Sequence, residues 1–381
     1  METREKSATQ EIVPTPSQVL AVRSAAIVAR GLRDLTRDSN WLVKKVFTAR
    51  SSRLAISPAG QVCAVSPLVR QGTERVWLYD IELSVPNSTL AVPDEPAVCP
   101  AGLPAAFAYS PTARHLVAAW GAWPRQLHVF DLHGKVFLGS FGQFSNFPEA
   151  LAWSDSGKHL AAATGGGRDA RLRLWEALPE SPFGMPFGGD PASELGAPQR
   201  EEAPRSEARE AESSDEGLFA GFGRSVFSPE DSTLATVARM EGEWADDSIV
   251  LLEVPTLHRQ NSFQAQGHIT DLGWTFDSRQ LIFCAAGQSY RLSTETMQPE
   301  ALPFGAELCA CHPHFPLCLC FSSWLRNSAK GRLFLVDLER LTVFDEYAAE
   351  GVVDLRWSLD GSKAYAVTAD GLAYIYEPPL L

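Results

Sequence analysis

Four cysteines, Cys309, Cys311, Cys318 and Cys320, form two C-x-C pairs that would face each other across a hairpin. Thiolates so paired hold zinc when all four can turn toward one tetrahedral site. Four carboxylates suggest a second chemistry. Glu149, Asp271, Glu307 and Asp354 stand at the heads of short apolar stretches, and oxygen ligands converging there could hold a divalent cation. No G-x-S-x-G elbow, P-loop, H-E-x-x-H helix or paired C-x-x-C occurs in the chain, so no enzyme activity and no cofactor is expected from motifs. His312 and His314 belong to an HPHF turn and are expected to be exposed.

The elements that carry these residues decide between the readings. An apolar or aromatic residue followed by a small polar one recurs as Ile56-Ser57, Tyr109-Ser110, Trp153-Ser154, Phe227-Ser228, Trp274-Thr275, Cys311-His312 and Trp357-Ser358. A turn follows each (SPAG, SPTA, SDSG, SPED, TFDS, HPHF, SLDG), because Asp, Ser, Pro and Gly suit turn backbone angles. A short apolar strand comes next, such as LVAA, LAAA or LIFC. After a variable loop a third strand closes most units on an acid: WLYD, HVFD, RLWE, VLLE, LFLVD and YIYE. A fourth strand is visible in STLAVP, KVFLGSF, LHRQNSF and LTVFDEY. Most anchors lie roughly 40–50 residues apart, the period of a propeller blade.

The seven units resemble the WD40-repeat family over about residues 40–381. The WSxxG-type turns, the strand ends LRLWE and HVFD, and the dipeptide Gly267-His268 carry the resemblance. It implies an all-β, seven-bladed propeller of four-stranded antiparallel blades. The last unit ends at YIYEPP, and NWLVKKVF (Asn40 to Phe47) is expected to supply its missing outer strand, joining the first and last blades.

On this alignment Cys309, Cys311, Cys318 and Cys320 fall at core positions, where thiols act as small hydrophobes, and no metal site is expected. The four carboxylates ring the mouth of a central channel. A metal-dependent, lactonase-like propeller enzyme using them is the alternative function class. The loops between second and third strands carry Trp123, Trp244 and Trp324, with Arg125, Arg168 and Arg326 close by. Trp and Arg dominate interface hot spots. The expected function is therefore a non-enzymatic scaffold or adaptor that binds a protein or peptide of acidic or apolar character on that face. A further alternative is nucleic-acid binding through the same residues, since Trp stacks on bases and Arg pairs with phosphates. The formal net charge of −13 repels a phosphate backbone and weighs against it.

Residues 1–38 read as a polar tail followed by a possible amphipathic helix, Val19 to Leu35, and 39–381 as the propeller. An insert at about 179–222 is acidic and Ser-rich, without the apolar surface needed to order itself. Seven cysteines without framework spacing, no apolar run long enough for a membrane helix and no leader-like segment lead to an expected intracellular, cytoplasmic location and no secretion.

Overall fold

The computed structural model describes residues 41–46, 54–65, 76–81, 85–90, 106–119, 125–146, 148–165, 170–177, 191–196, 219–240, 246–323 and 331–378. The predicted helix at Val19 to Leu35 lies outside them. Among the described residues there are seven four-stranded antiparallel sheets. Their innermost strands are Leu54–Ile56, Ala106–Tyr109, Pro148–Trp153, Phe219–Phe227, Ile269–Trp274, Leu308–Cys311 and Val352–Trp357, which we number as sheets 1 to 7. Within sheets 1 to 6 the strands pair in chain order. In sheet 7 the outer strand is Trp41–Lys45, which pairs antiparallel with Leu372–Tyr376 in the register Trp41 to Tyr376.

The recurrent Ser or Thr has a definite job. Buried at the start of the first turn in sheets 2 to 5 and 7, its hydroxyl accepts the N–H five residues on: Ser110 from His115 at 2.9 Å, Ser154 from His159 at 3.0 Å, Thr275 from Gln280 at 3.1 Å. Ser228 and Ser358 do the same at 3.1 and 3.0 Å. A buried backbone donor without a partner would be destabilising, so the hydroxyl fixes the turn.

Sheet 6 solves the problem differently. Nδ1 of His312 accepts the N–H groups of His314 at 2.9 Å and Phe315 at 3.1 Å. The proton therefore sits on Nε2, which donates to the carbonyl of Gly361 in sheet 7 at 3.1 Å. The ring also packs edge-on against Trp357, with centroids 4.5 Å apart. His312 is thus 1% exposed, against the expectation from its turn sequence; inward bonds to three backbone groups explain the difference. His314 is exposed. Burial lowers the His312 pKa to about 4.

The core lies between sheets. Each of seven buried clusters draws side chains from two neighbouring sheets. Sheets 3 and 4, for example, share Ala161, Leu172, Phe222 and Val250. Sheets 7 and 1 share Ile375, Val367, Ile56 and Ile81. Burying a Leu or Phe fully contributes roughly 1.5–3 kcal/mol, and strand alternation gives each sheet two such faces. Two anchor tryptophans cross the same boundaries with their indole N–H: Trp274 donates to Val226 at 3.1 Å and Trp357 to Ala310 at 2.9 Å.

The expected insert at 179–222 is partly regular structure. Ser193–Gly196 is the outer strand of sheet 3, and Phe219–Phe227 begins inside the same span. Glu194 explains the first, bridging Arg171 at 3.0 Å and Arg173 at 2.6 Å on the neighbouring strand. Positions 178–190 and 197–218 lie outside the described residues.

Candidate functional site

The connections between second and third strands leave every sheet at the same end. Trp123 falls in the connection of sheet 2, Arg168 in that of sheet 3, Trp244 in that of sheet 4, and Trp324 and Arg326 in that of sheet 6. These five positions lie outside the described residues. Arg125 is described, as the first residue of the third strand of sheet 2. Its Nη1 donates to the carbonyl of Ser145, in the connection leading to sheet 3. The two kinds of connection therefore meet on one face.

That face also holds the best-formed part of the repeat signature. Nδ1 of His268 lies 2.6 Å from Asp247 Oδ2, and the same oxygen accepts the N–H of Ile269 at 2.8 Å. The neighbouring Asp246 accepts the N–H of Gly267 at 2.7 Å. Gly267-His268 is thus tied to the preceding strand pair by two aspartates.

The innermost strands of all seven sheets line a single axial channel with a volume of about 270 Å³. One place before the anchor, six of them carry Ala55, Ala108, Ala152, Val226, Gly273 and Ala310, and sheet 7 carries Arg356. Small side chains keep the axis open, and the long guanidinium enters the space they leave. Two places further back, sheet 4 carries Arg224, and sheets 5 and 7 carry Asp271 and Asp354.

Arg224 Nε pairs with Asp271 Oδ1 at 2.9 Å. Asp271 is 5% exposed while Arg224 keeps 46%, because the arginine faces the channel and the carboxylate is sealed behind it. The other oxygen of Asp271 accepts the N–H of Cys309 at 3.0 Å. Asp354 accepts from Ile56 at 3.0 Å and from Leu355 at 3.1 Å. Burial pushes both carboxyls upward, against the pull of Arg224 and of these N–H groups. Asp271 in turn holds the Arg224 guanidinium above its ordinary value. Burial lowers Arg356, opposed by Asp354 and Asp155. Asp155 lies at the turn end of the channel, exposed at its mouth.

The four carboxylates singled out in the sequence do not form one constellation. Glu149 pairs with Arg239 at 2.7 Å, and Glu307 accepts a hydrogen bond from Ser323. Asp271 and Asp354 are instead ties between neighbouring inner strands. Among the described residues no three metal-ligating side chains come together. That corrects the four-carboxylate cation reading: each acid already has a cation, an N–H or a hydroxyl of its own.

The cysteines lie in the core shared by sheets 5 and 6. Cys309, Cys318 and Cys320, with Cys284, pack among Ile282, Leu302, Phe304, Phe334 and Val336, and Cys311 lies against them. The Cys318 thiol beside it, together with burial, holds the Cys320 thiol well above its ordinary pKa.

No family model matches the sequence, and no curated protein matches it. Solved structures do. A chain of the mitotic checkpoint complex superposes with a TM-score of 0.60 at 11% identity, over 89% of this chain and 95% of that one. The hydrazine synthase of Kuenenia stuttgartiensis gives 0.62 at 14% identity, over 88% and 97%. The β-propeller domain of Cps50 (Swd1) from Myceliophteria thermophila gives 0.57 at 12% identity, over 88% and 99%.

The fold is a β-propeller.

At such identities the likeness concerns the fold, which hosts many functions. Sequence reading overlooked the propeller's two channel arginines. The signal was present: Arg356 stands where six repeats have a small residue, and Arg224 where two others have Asp.

Proposed function

We propose that this propeller is a non-enzymatic protein-interaction scaffold that binds a protein or peptide on the face formed by the connections between second and third strands. The reading rests on the sequence positions of three tryptophans, Trp123, Trp244 and Trp324, between the second and third strands of sheets 2, 4 and 6. Arg125, Arg168 and Arg326 accompany them. An indole contributes a large apolar contact and an arginine a forked charge, the pairing most frequent at binding hot spots. In an acidic chain, arginines recurring at these sequence positions favour a partner with carboxylates. A chain of the mitotic checkpoint complex among the structural neighbours is in keeping with an assembly role.

Affinity capture from a native lysate tests this. The wild-type chain is compared with a folded Trp123→Ala/Trp324→Ala double variant. A protein retained by the first and lost from the second supports the scaffold reading and its face. Equal capture by both removes this face from the proposal.

A further inference from the structure

The channel holds two charged side chains without a partner. Arg356 makes no hydrogen bond or ion pair with any described residue, although burial opposes its charge. The Asp155 carboxylate at the turn end of the same channel makes none either. The other channel charges are already engaged. Asp354 has one backbone N–H on each oxygen, and Arg224 is paired with Asp271. Arg356 and Asp155 are opposite in sign and within electrostatic reach of each other, yet no ion pair joins them.

We infer that the axial channel is a binding site for a small zwitterion of the amino-acid class, with its carboxylate on Arg356 and its ammonium at Asp155. This goes beyond the scaffold reading and does not depend on it. A free dianion would meet the carboxylates of Asp155 and Asp354 as well as the guanidinium groups. A bare metal cation would meet both guanidinium groups. A zwitterion meets both side chains with charges of opposite sign and adds no net charge to the channel. The planar guanidinium suits a two-oxygen acceptor. The channel volume of about 270 Å³ and the ring of small residues set the size of the occupant.

Isothermal titration calorimetry on the full chain tests the assignment. The probes are the standard amino acids, β-alanine and 4-aminobutanoate, with acetate and ethylammonium as half-molecules. At least one zwitterion is expected to bind with one site per chain. Arg356→Gln and Asp155→Asn should each weaken it about tenfold or more, the loss of one charge-assisted contact. Acetate and ethylammonium should both bind more weakly than the zwitterion. Absence of binding by every zwitterion overturns the proposal, as does unchanged affinity in Asp155→Asn or acetate binding equally well. Asp155 is an exposed turn residue, so its variant keeps the test in force if Arg356→Gln does not fold.

Discussion

Asp354 Oδ2 accepts the backbone N–H of Ile56 at 3.0 Å, so the innermost strand of the last sheet is bonded to that of the first. Asp271 makes the same kind of tie from sheet 5 to Cys309 in sheet 6. Asp354→Ala leaves the Ile56 N–H without its acceptor and is expected to destabilise the fold by about 1–3 kcal/mol. Glu377→Ala removes only the surface pair with Lys363 at 3.2 Å and should change stability by less than about 0.5 kcal/mol. Urea unfolding of the two variants side by side checks the difference.

Gly361 has φ of +69°, and a Cβ there would come within 2.3 Å of the His312 ring. Gly287 has a similar φ of +76° with nothing within 4 Å. Ala at Gly287 should therefore show only the left-handed backbone penalty of about 1 kcal/mol. Ala at Gly361 adds displacement of a buried ring and should lose roughly 1–3 kcal/mol more. Equal losses would mean that the His312 latch is not rigid.

His312 and His128 are 1% and 2% exposed, and burial lowers each pKa to about 4 from an ordinary 6.5. Both rings stay neutral in the folded chain while the unfolded chain takes up protons. Stability should fall as pH drops from 6.5 toward 4 and the two terms should level off below that. Each contributes roughly 3 kcal/mol at full extent. His312→Asn should lower stability at neutral pH, yet its stability should depend on pH by about one proton less near pH 5. Denaturation series at several pH values read that slope.

The thiols of Cys284, Cys309, Cys318 and Cys320 are all no more than 2% exposed, and buried thiols react only when the structure opens. A thiol reagent applied to the native chain should leave them unmodified. Labelling in step with the unfolding rate is the expected result, and rapid labelling of any of the four would contradict this packing.

Trp123→Ala/Trp324→Ala should leave the melting temperature nearly unchanged and weaken partner binding by at least ~2 kcal/mol. Calorimetry of the captured pair, beside a thermal melt, separates those two effects.

Much of the fold was legible because one physical device repeats. A buried hydroxyl before a turn, as at Ser154 and Thr275, marks an inner hairpin wherever it occurs. The outer strands of sheets 3 and 5 were not legible. Ser193–Gly196 is held by the ion pairs of Glu194, and Pro299–Ala301 is exposed throughout, so neither carries an alternating pattern. His312 looked like part of a solvent turn, since nothing local says that a ring will turn inward onto the next sheet. The channel charges needed the opposite habit: noticing Arg356 among Ala and Gly.

The pairing of Trp41–Lys45 with Leu372–Tyr376 sets an order of events during synthesis. Lys45 Nζ donates to the carbonyl of Asp370, 325 residues downstream. At about 5–20 residues per second a ribosome needs roughly 15–65 s to make that stretch. Six sheets can form behind the exit tunnel in that time, each from consecutive chain. The strand with exposed Leu42 and Val43 must wait for its neighbour to emerge. A nascent chain of this protein therefore carries an unpaired β-edge until residues 372–376 have been made, the interval in which a chaperone would have something to hold.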